Sequence, residues 1–84
     1  MVKKLKAEIE ITYEDPRAAK SIAAAVSPDN LNPPKGLSVE TEAVGSSVRS
    51  SITCDKKIET FISTIDDLLS AIQSAERTLA RIHL

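Results

Sequence analysis

This 84-residue chain has one histidine and one cysteine, and the positions of its candidate catalytic residues do not favour catalysis. The sole histidine, His83, is the penultimate residue, and the sole cysteine, Cys54, falls on the inward side of a predicted strand. We expect Cys54 to be a small buried hydrophobe, because reactive thiols are partly exposed and lie near positive charge. Asp66 and Asp67 are adjacent, and successive helical residues do not face each other. The sequence therefore predicts no catalytic, metal or cofactor site, and we expect the chain not to be an enzyme.

The amino-acid composition limits the kinds of protein that this chain can be. The net charge is −1, which argues against nucleic-acid binding through bulk electrostatics. Tyr13 and Phe61 are the only aromatic residues, so the core must be aliphatic, and a core this small makes oligomerisation an expectation. A lone cysteine cannot form an internal disulfide, which points to the reducing cytoplasm. The opening "MVKKLKAEIEI" lacks a long apolar run, so we expect no signal peptide or membrane anchor, and a single domain over residues 1–84.

The first two elements have clear signals. In "LKAEIEITY" apolar and polar residues alternate, which predicts a strand over about residues 3–13 with one buried face. The segment "EDPRAAKSIAAAV" carries an apolar stripe at helical spacing and predicts a helix over about residues 16–27. Asp15 before Pro16 is a strong helix start, and Pro28 is expected to end the helix.

A hairpin is predicted after a proline-rich connection. The connection "SPDNLNPPKGLSVE" holds three of the four prolines, and we expect it to form a stiff rim loop. In "GLSVETEAVGSSVRSSITCD" two alternating segments flank Gly45, the turn former. Ser50 is the weak point of this pattern, because it is a polar residue on the inward face.

The rest of the chain, "KKIETFISTIDDLLSAIQSAERTLARIHL", is one long helical pattern whose start we expect Asp55 to cap. Ile58, Ile65, Ile72 and Leu79 recur every seven residues. A helix of about 26 residues is about 39 Å long, whereas a strand of about eight residues spans about 26 Å. The helix therefore outruns the sheet. Its C-terminal third is either covered by the first helix or completes a bundle with another chain.

The predicted order βαββα is typical of an α+β fold, in which a three-stranded antiparallel sheet carries two helices on one face. An open sheet of three strands leaves two edges with unpaired backbone groups. Its other face is predicted to be charged, so stacking that face on a second sheet would bury charges, whereas pairing two edges would not. We therefore expect a homodimer formed by strand addition at an edge.

Several segments together resemble a known family. The order βαββα, the opening "AEIEITYED", the connection "PDN…PP.GL" and the closing "IDDLLSAIQSAERTL" are similar to the small Pcc subunit of the KEOPS complex, whose distant relatives include the cancer/testis antigen group. The resemblance covers nearly the whole chain, is most specific in "SPDNLNPPKGL", and is closer to archaeal than to eukaryotic members. KEOPS makes threonylcarbamoyladenosine in tRNA. The resemblance implies a non-catalytic subunit that dimerises, with itself or with a paralogous chain, and holds the metal-containing transferase subunit through a helical bundle.

The resemblance also implies which residues contact partners. The stripe of the long helix is predicted to bind the transferase subunit, through Ile65, Leu68, Leu69, Ile72, Ala75 and Leu79. Arg49, Lys56 and Lys57 are candidate contacts for tRNA, which the family binds as part of the complex. The alternative function is a stand-alone RNA-binding module of KH-like shape, although the GxxG clamp of KH domains has no counterpart in the sequence.

Overall fold

The computed structural model of the chain describes residues 4–27 and 35–82. In chain order it contains β1 (Leu5–Thr12), α1 (Pro16–Val26), β2 (Leu37–Val44), β3 (Ser47–Cys54) and α2 (Ile58–Ile82). The strands form one antiparallel sheet in the order β1-β3-β2, and both helices share a single core with it. The predicted α+β fold and element order are thus confirmed. Within the described segments, neither helix has the length and apolar character needed to cross a membrane.

The helix α1 begins where the sequence predicts. The Asp15 side chain accepts a hydrogen bond of 2.8 Å from the backbone N–H of Arg17, and Pro16 occupies the first turn. The Arg17 guanidinium also pairs with Asp15 at 2.7 Å, and its hydrogen bonds lower the pKa of that carboxyl. α1 ends at Val26, one residue before the predicted end. Pro28, the predicted stop, lies outside the described residues, as does most of the proline-rich connection.

The register of the sheet places the apolar residues of all three strands, apart from Val44 at the end of β2, on one face. Ala7 of β1 and Val39 of β2 both pair with Ile52 of the central strand. Ser50, the polar residue on the inward face of β3, is 1% exposed. Its hydroxyl lies 3.0 Å from the hydroxyl of Thr41 on β2. A buried hydroxyl without a partner costs about 1–3 kcal/mol, so this cross-strand bond makes serine acceptable inside the core.

Two glycines have positive φ angles where the chain turns. Gly45 (φ 61°) opens the two-residue turn between β2 and β3, as predicted. Gly36 (φ 87°) precedes β2, and its carbonyl accepts a 2.9 Å hydrogen bond from the N–H of Asp55. A Cβ at Gly36 would collide with the Asp55 carboxylate, so that side chain lies beside Gly36. The predicted cap of α2 needs correction, because the first helical hydrogen bond runs from Phe61 to the carbonyl of Lys57, two residues after Asp55.

The core is aliphatic, as the composition predicts. It lies where α1 and α2 meet over the central strand and consists of Ala19, Ile22, Ala23, Val26, Val48, Ile52, Leu68 and Ile72. Burying one such isoleucine is worth about 1.5–3 kcal/mol. Both aromatic residues, Tyr13 and Phe61, pack at the margin of this cluster.

One polar contact ties the far end of β1 to α2. The Tyr13 hydroxyl donates a hydrogen bond of 2.5 Å to the carboxylate of Glu76. Burial, and then the hydrogen bond and charge of Glu76, raise the pKa of Tyr13 well above its ordinary value. A raised folded-state pKa stabilises the fold at a pH below the unfolded value of about 10, and this stabilisation is lost as the pH rises through the folded value.

This contact can be measured directly, because Tyr13 is the only tyrosine and the chain has no tryptophan. We expect the phenolate absorbance of the folded protein to appear at a higher pH than that of the urea-unfolded protein. Glu76→Gln should lower the folded midpoint without bringing it to the unfolded value, because burial still raises the pKa. Equal midpoints in the folded and unfolded wild-type protein would show that the contact does not form in solution.

Candidate partner-docking surfaces

A groove of about 500 Å³ runs between the two helices, along the C-terminal half of α2. It is lined by Ser21, Ile22 and Ala25 of α1 and by Ala71, Ser74, Ala75, Thr78 and Leu79 of α2, and we call it the α1/α2 groove. Most of these side chains are small. Small residues leave room for the ridge of side chains that another helix would insert. The groove therefore presents mostly small side chains to its exterior.

The C-terminal third of α2 is neither fully covered by α1 nor fully open. Leu79 is half-buried and packs against the core, so α1 covers part of the region that outruns the sheet. Ser74 and Thr78, on the same stretch of α2, remain exposed and line the groove. The end of α2 is thus partly covered by α1, and the groove beside it remains open.

A second apolar surface lies on the other side of α2. Ile58 is 56% exposed, Ile62 51% and Leu69 37%, and their spacing places them along one side of the helix. We call these three residues the outer flank. At about 100° per residue, the outer flank lies about 150° around the helix from the α1/α2 groove. The long helix therefore has two separate apolar surfaces that its own domain leaves open.

The predicted transferase-binding residues divide between these environments. Leu68 and Ile72 are 4% and 2% exposed in the single chain, so their side chains support the fold from inside. Ala75 and Leu79 line the α1/α2 groove, whereas Leu69 lies on the outer flank. Ile65 is half-buried against the core. The sequence did not single out the α1 side of the groove, because serine and alanine give no signal until the second helix is placed beside them.

The face of the sheet away from the helices is charged. Glu8, Glu10, Glu40 and Glu42 line a concavity of about 680 Å³ together with Arg49 and Ser51. The Nε of Arg49 lies 2.9 Å from a carboxylate oxygen of Glu10. This hydrogen bond, with the charges of Glu10, Glu42 and Glu8, raises the pKa of the guanidinium. Arg49 therefore balances carboxylates of its own sheet, and a phosphate approaching it would meet four glutamates.

A match between a protein-family model and most of the chain shows which family the chain belongs to. The protein-family model described as "Transcription factor Pcc1" matches residues 6–80. The chain belongs to the Pcc1 family. This confirms the resemblance to the small Pcc subunit of KEOPS. A search of curated proteins finds no match to the sequence.

A solved structure contains a chain with a similar fold. A chain in the crystal structure of the binary complex Gon7–Pcc1 superposes on this one with a TM-score of 0.81. The two chains are 14% identical, and the match covers 93% of this chain and 95% of the other. At this low identity the likeness concerns the fold, and the docking surfaces rest on the residues of this chain alone.

The remaining basic candidates of this Pcc1-family chain lie apart from Arg49. Lys56 and Lys57 are exposed in the segment between β3 and α2. Arg49 is five strand residues before Cys54, a distance of about 17 Å, so the three cations do not form one patch. Both aromatic side chains lie on the helix side of the sheet, where they cannot stack with bases at its charged face. Among the described residues, no group of three His, Cys, Asp or Glu side chains could hold a metal ion.

Proposed function

We propose that this chain is a non-catalytic KEOPS assembly subunit that dimerises and holds the transferase subunit through a helical bundle. The α1/α2 groove is the observation that carries the proposal. Its exposed lining residues, Ser21, Ala25, Ser74 and Thr78, are small enough for close approach of helices from the transferase subunit. Membership of the Pcc1 family supports the same role. The related fold occurs in a binary complex with Gon7, which fits a function in assembly.

In this role the chain leaves catalysis to its partner. The thiol of Cys54 is completely buried and accepts a 3.3 Å hydrogen bond from the N–H of Lys56, an environment that suits packing and not nucleophilic attack. The free thiol also fits a cytoplasmic complex.

Size-exclusion chromatography with light scattering tests the proposal. We expect the chain alone to have twice its sequence mass, and a mixture with the transferase subunit to elute as one complex containing one transferase per chain. Separate elution of the two proteins at micromolar concentration would contradict the scaffold role. Tight tRNA binding by the isolated chain, with steep salt dependence in a mobility-shift assay, would instead support the KH-like alternative.

Transfer RNA contact through Lys56 and Lys57 is part of the proposal, with Arg49 in a structural role. We expect the double substitution Lys56→Ala with Lys57→Ala to weaken tRNA binding by the assembled complex and to lower its salt dependence by about one counterion for each lost phosphate contact. Arg49→Ala is the comparison, because it removes one positive charge, against two in the double substitution, from a position paired with Glu10. An equal or greater effect of Arg49→Ala would show that tRNA binds the charged face of the sheet.

A further inference from the structure

A polar contact joins α2 to the sheet at the point where the sheet ends. Tyr13 directly follows β1, and its N–H donates to the carbonyl of Ser46 in the hairpin turn at 2.8 Å. Its hydroxyl donates a hydrogen bond of 2.5 Å to the carboxylate of Glu76. α2 continues for about 9 Å after Glu76, to its end at Ile82. The contact therefore lies at the base of the part of α2 that extends past the sheet.

The lengths of β1 and α2 agree with this placement. Leu5, at the start of β1, pairs with Cys54, just before α2 begins, so the strand and the helix start at the same end of the domain. The strand from Leu5 to Tyr13 and the helix from Ile58 to Glu76 both span about 27 Å. β1 and α2 thus run in the same direction, and the last turns of the helix lie beyond the end of the strand.

These last turns carry part of the α1/α2 groove. Thr78 and Leu79 line the groove after the contact, and Ala75 lines it directly before Glu76. Glu76 itself lies about 130° around the helix from the groove, and Tyr13 is not among the lining residues. Neither side chain is therefore placed to touch a helix docked in the groove. Both can affect docking only through the position of α2.

The end of α2 needs such support because short helical segments without tertiary contacts are marginally stable in water and fray. Leu79 packs against the core on the side of α2 that faces α1. Tyr13 supports the helix on the other side, with its ring against the core and its hydroxyl on Glu76. A hydrogen bond to a carboxylate is about twice as strong as one between neutral groups, and it is directional. It therefore fixes where the helix lies relative to the end of β1.

We infer that Tyr13 and Glu76 are positioning residues, whose hydrogen bond orders the end of α2 for docking of a partner helix in the α1/α2 groove. This inference rests on the role of the groove in the proposed function. A chain whose binding surface is ordered for only part of the time binds more weakly, in proportion to the ordered fraction. Loss of the hydrogen bond should therefore lower the ordered fraction of the free chain and its affinity by the same factor.

Carbon-13 chemical shifts of the free chain, which report helix populations, test whether the contact orders α2. Tyr13→Phe removes the hydroxyl and keeps the ring. We expect it to lower the helical fraction of residues 77–80 about fivefold and to leave residues 65–68 unchanged. Thr12→Val is the matched control, because it removes the hydroxyl of the preceding residue, which bonds Ser47 of β3 and not α2. An unchanged helix end in Tyr13→Phe, or equal fraying in Thr12→Val, overturns the inference.

Isothermal titration calorimetry with the transferase subunit tests whether this order serves docking. Tyr13→Phe should weaken binding about fivefold, whereas Thr12→Val should not. Glu76→Gln should keep the affinity within about twofold of wild type, because the amide oxygen still accepts a hydrogen bond from Tyr13. Wild-type affinity of a Tyr13→Phe chain with a frayed helix end, or equal weakening by Glu76→Gln, overturns the docking role.

The two measurements separate this inference from the proposed function. A wild-type chain that does not bind the transferase subunit overturns the proposed function and the docking role with it. Fraying of residues 77–80 in Tyr13→Phe would still confirm that the contact orders α2. Normal binding by the wild-type chain with no effect of Tyr13→Phe would overturn the inference and leave the proposed function intact.

Discussion

Ala25→Arg is expected to weaken binding of the transferase subunit at least about a hundredfold while leaving the chain folded. Ala25 is exposed and lines the α1/α2 groove, so the new side chain would meet solvent in the free protein. In the complex it would occupy space that a partner helix needs. It would also bury an unpaired charge, which costs several kcal/mol, more than the roughly 2.7 kcal/mol that a hundredfold loss requires.

Ala24, the residue before Ala25, provides a matched control for Ala25→Arg. Ala24 is also exposed but does not line the groove. Ala24→Arg adds the same charge near the C-terminal end of α1, where the helix dipole favours a cation equally in both variants. We expect Ala24→Arg to change transferase affinity less than about threefold, as isothermal titration calorimetry can measure. Similar affinities for the two variants, whether both weak or both unaffected, would show that the groove is not the docking surface.

The elements of this fold were predictable because their signals are local. Strict alternation decides which face of β1 is buried, and the Asp15–Pro16 pair decides where α1 begins. Gly45 marks the hairpin turn, since a positive φ angle there suits glycine. None of these features requires knowledge of a distant residue.

The docking surfaces were less predictable because they depend on how elements pack. An apolar stripe on a long helix does not reveal where a second helix will lie, so Leu68 in the core and Leu69 on the outer flank look alike in sequence. The role of Arg49 likewise depends on strand order. It faces Glu10 only because β3 lies between β1 and β2, with a register that sets the two residues opposite each other.

Aspartate substitutions at Ile72 in the core and Leu69 on the outer flank, three residues apart on α2, should have opposite effects on the fold. Ile72→Asp should unfold the chain. Ile72 is 2% exposed, and burying a carboxylate among aliphatic side chains costs more than about 4 kcal/mol, a large part of the stability of a small domain. Leu69→Asp should keep the fold, because Leu69 is 37% exposed and a carboxylate there can stay hydrated. Far-ultraviolet circular dichroism with urea titration distinguishes the two results.

The two substitutions, Ile72→Asp and Leu69→Asp, also determine how binding experiments on α2 should be interpreted. Loss of transferase binding by Ile72→Asp would report only the loss of the fold, since that side chain has no open surface. Leu69→Asp removes apolar surface from the outer flank alone. We expect its transferase affinity to stay within about threefold of wild type, because a groove about 150° away around the helix is untouched. A folded Leu69→Asp variant that loses the transferase would instead assign the outer flank to that subunit.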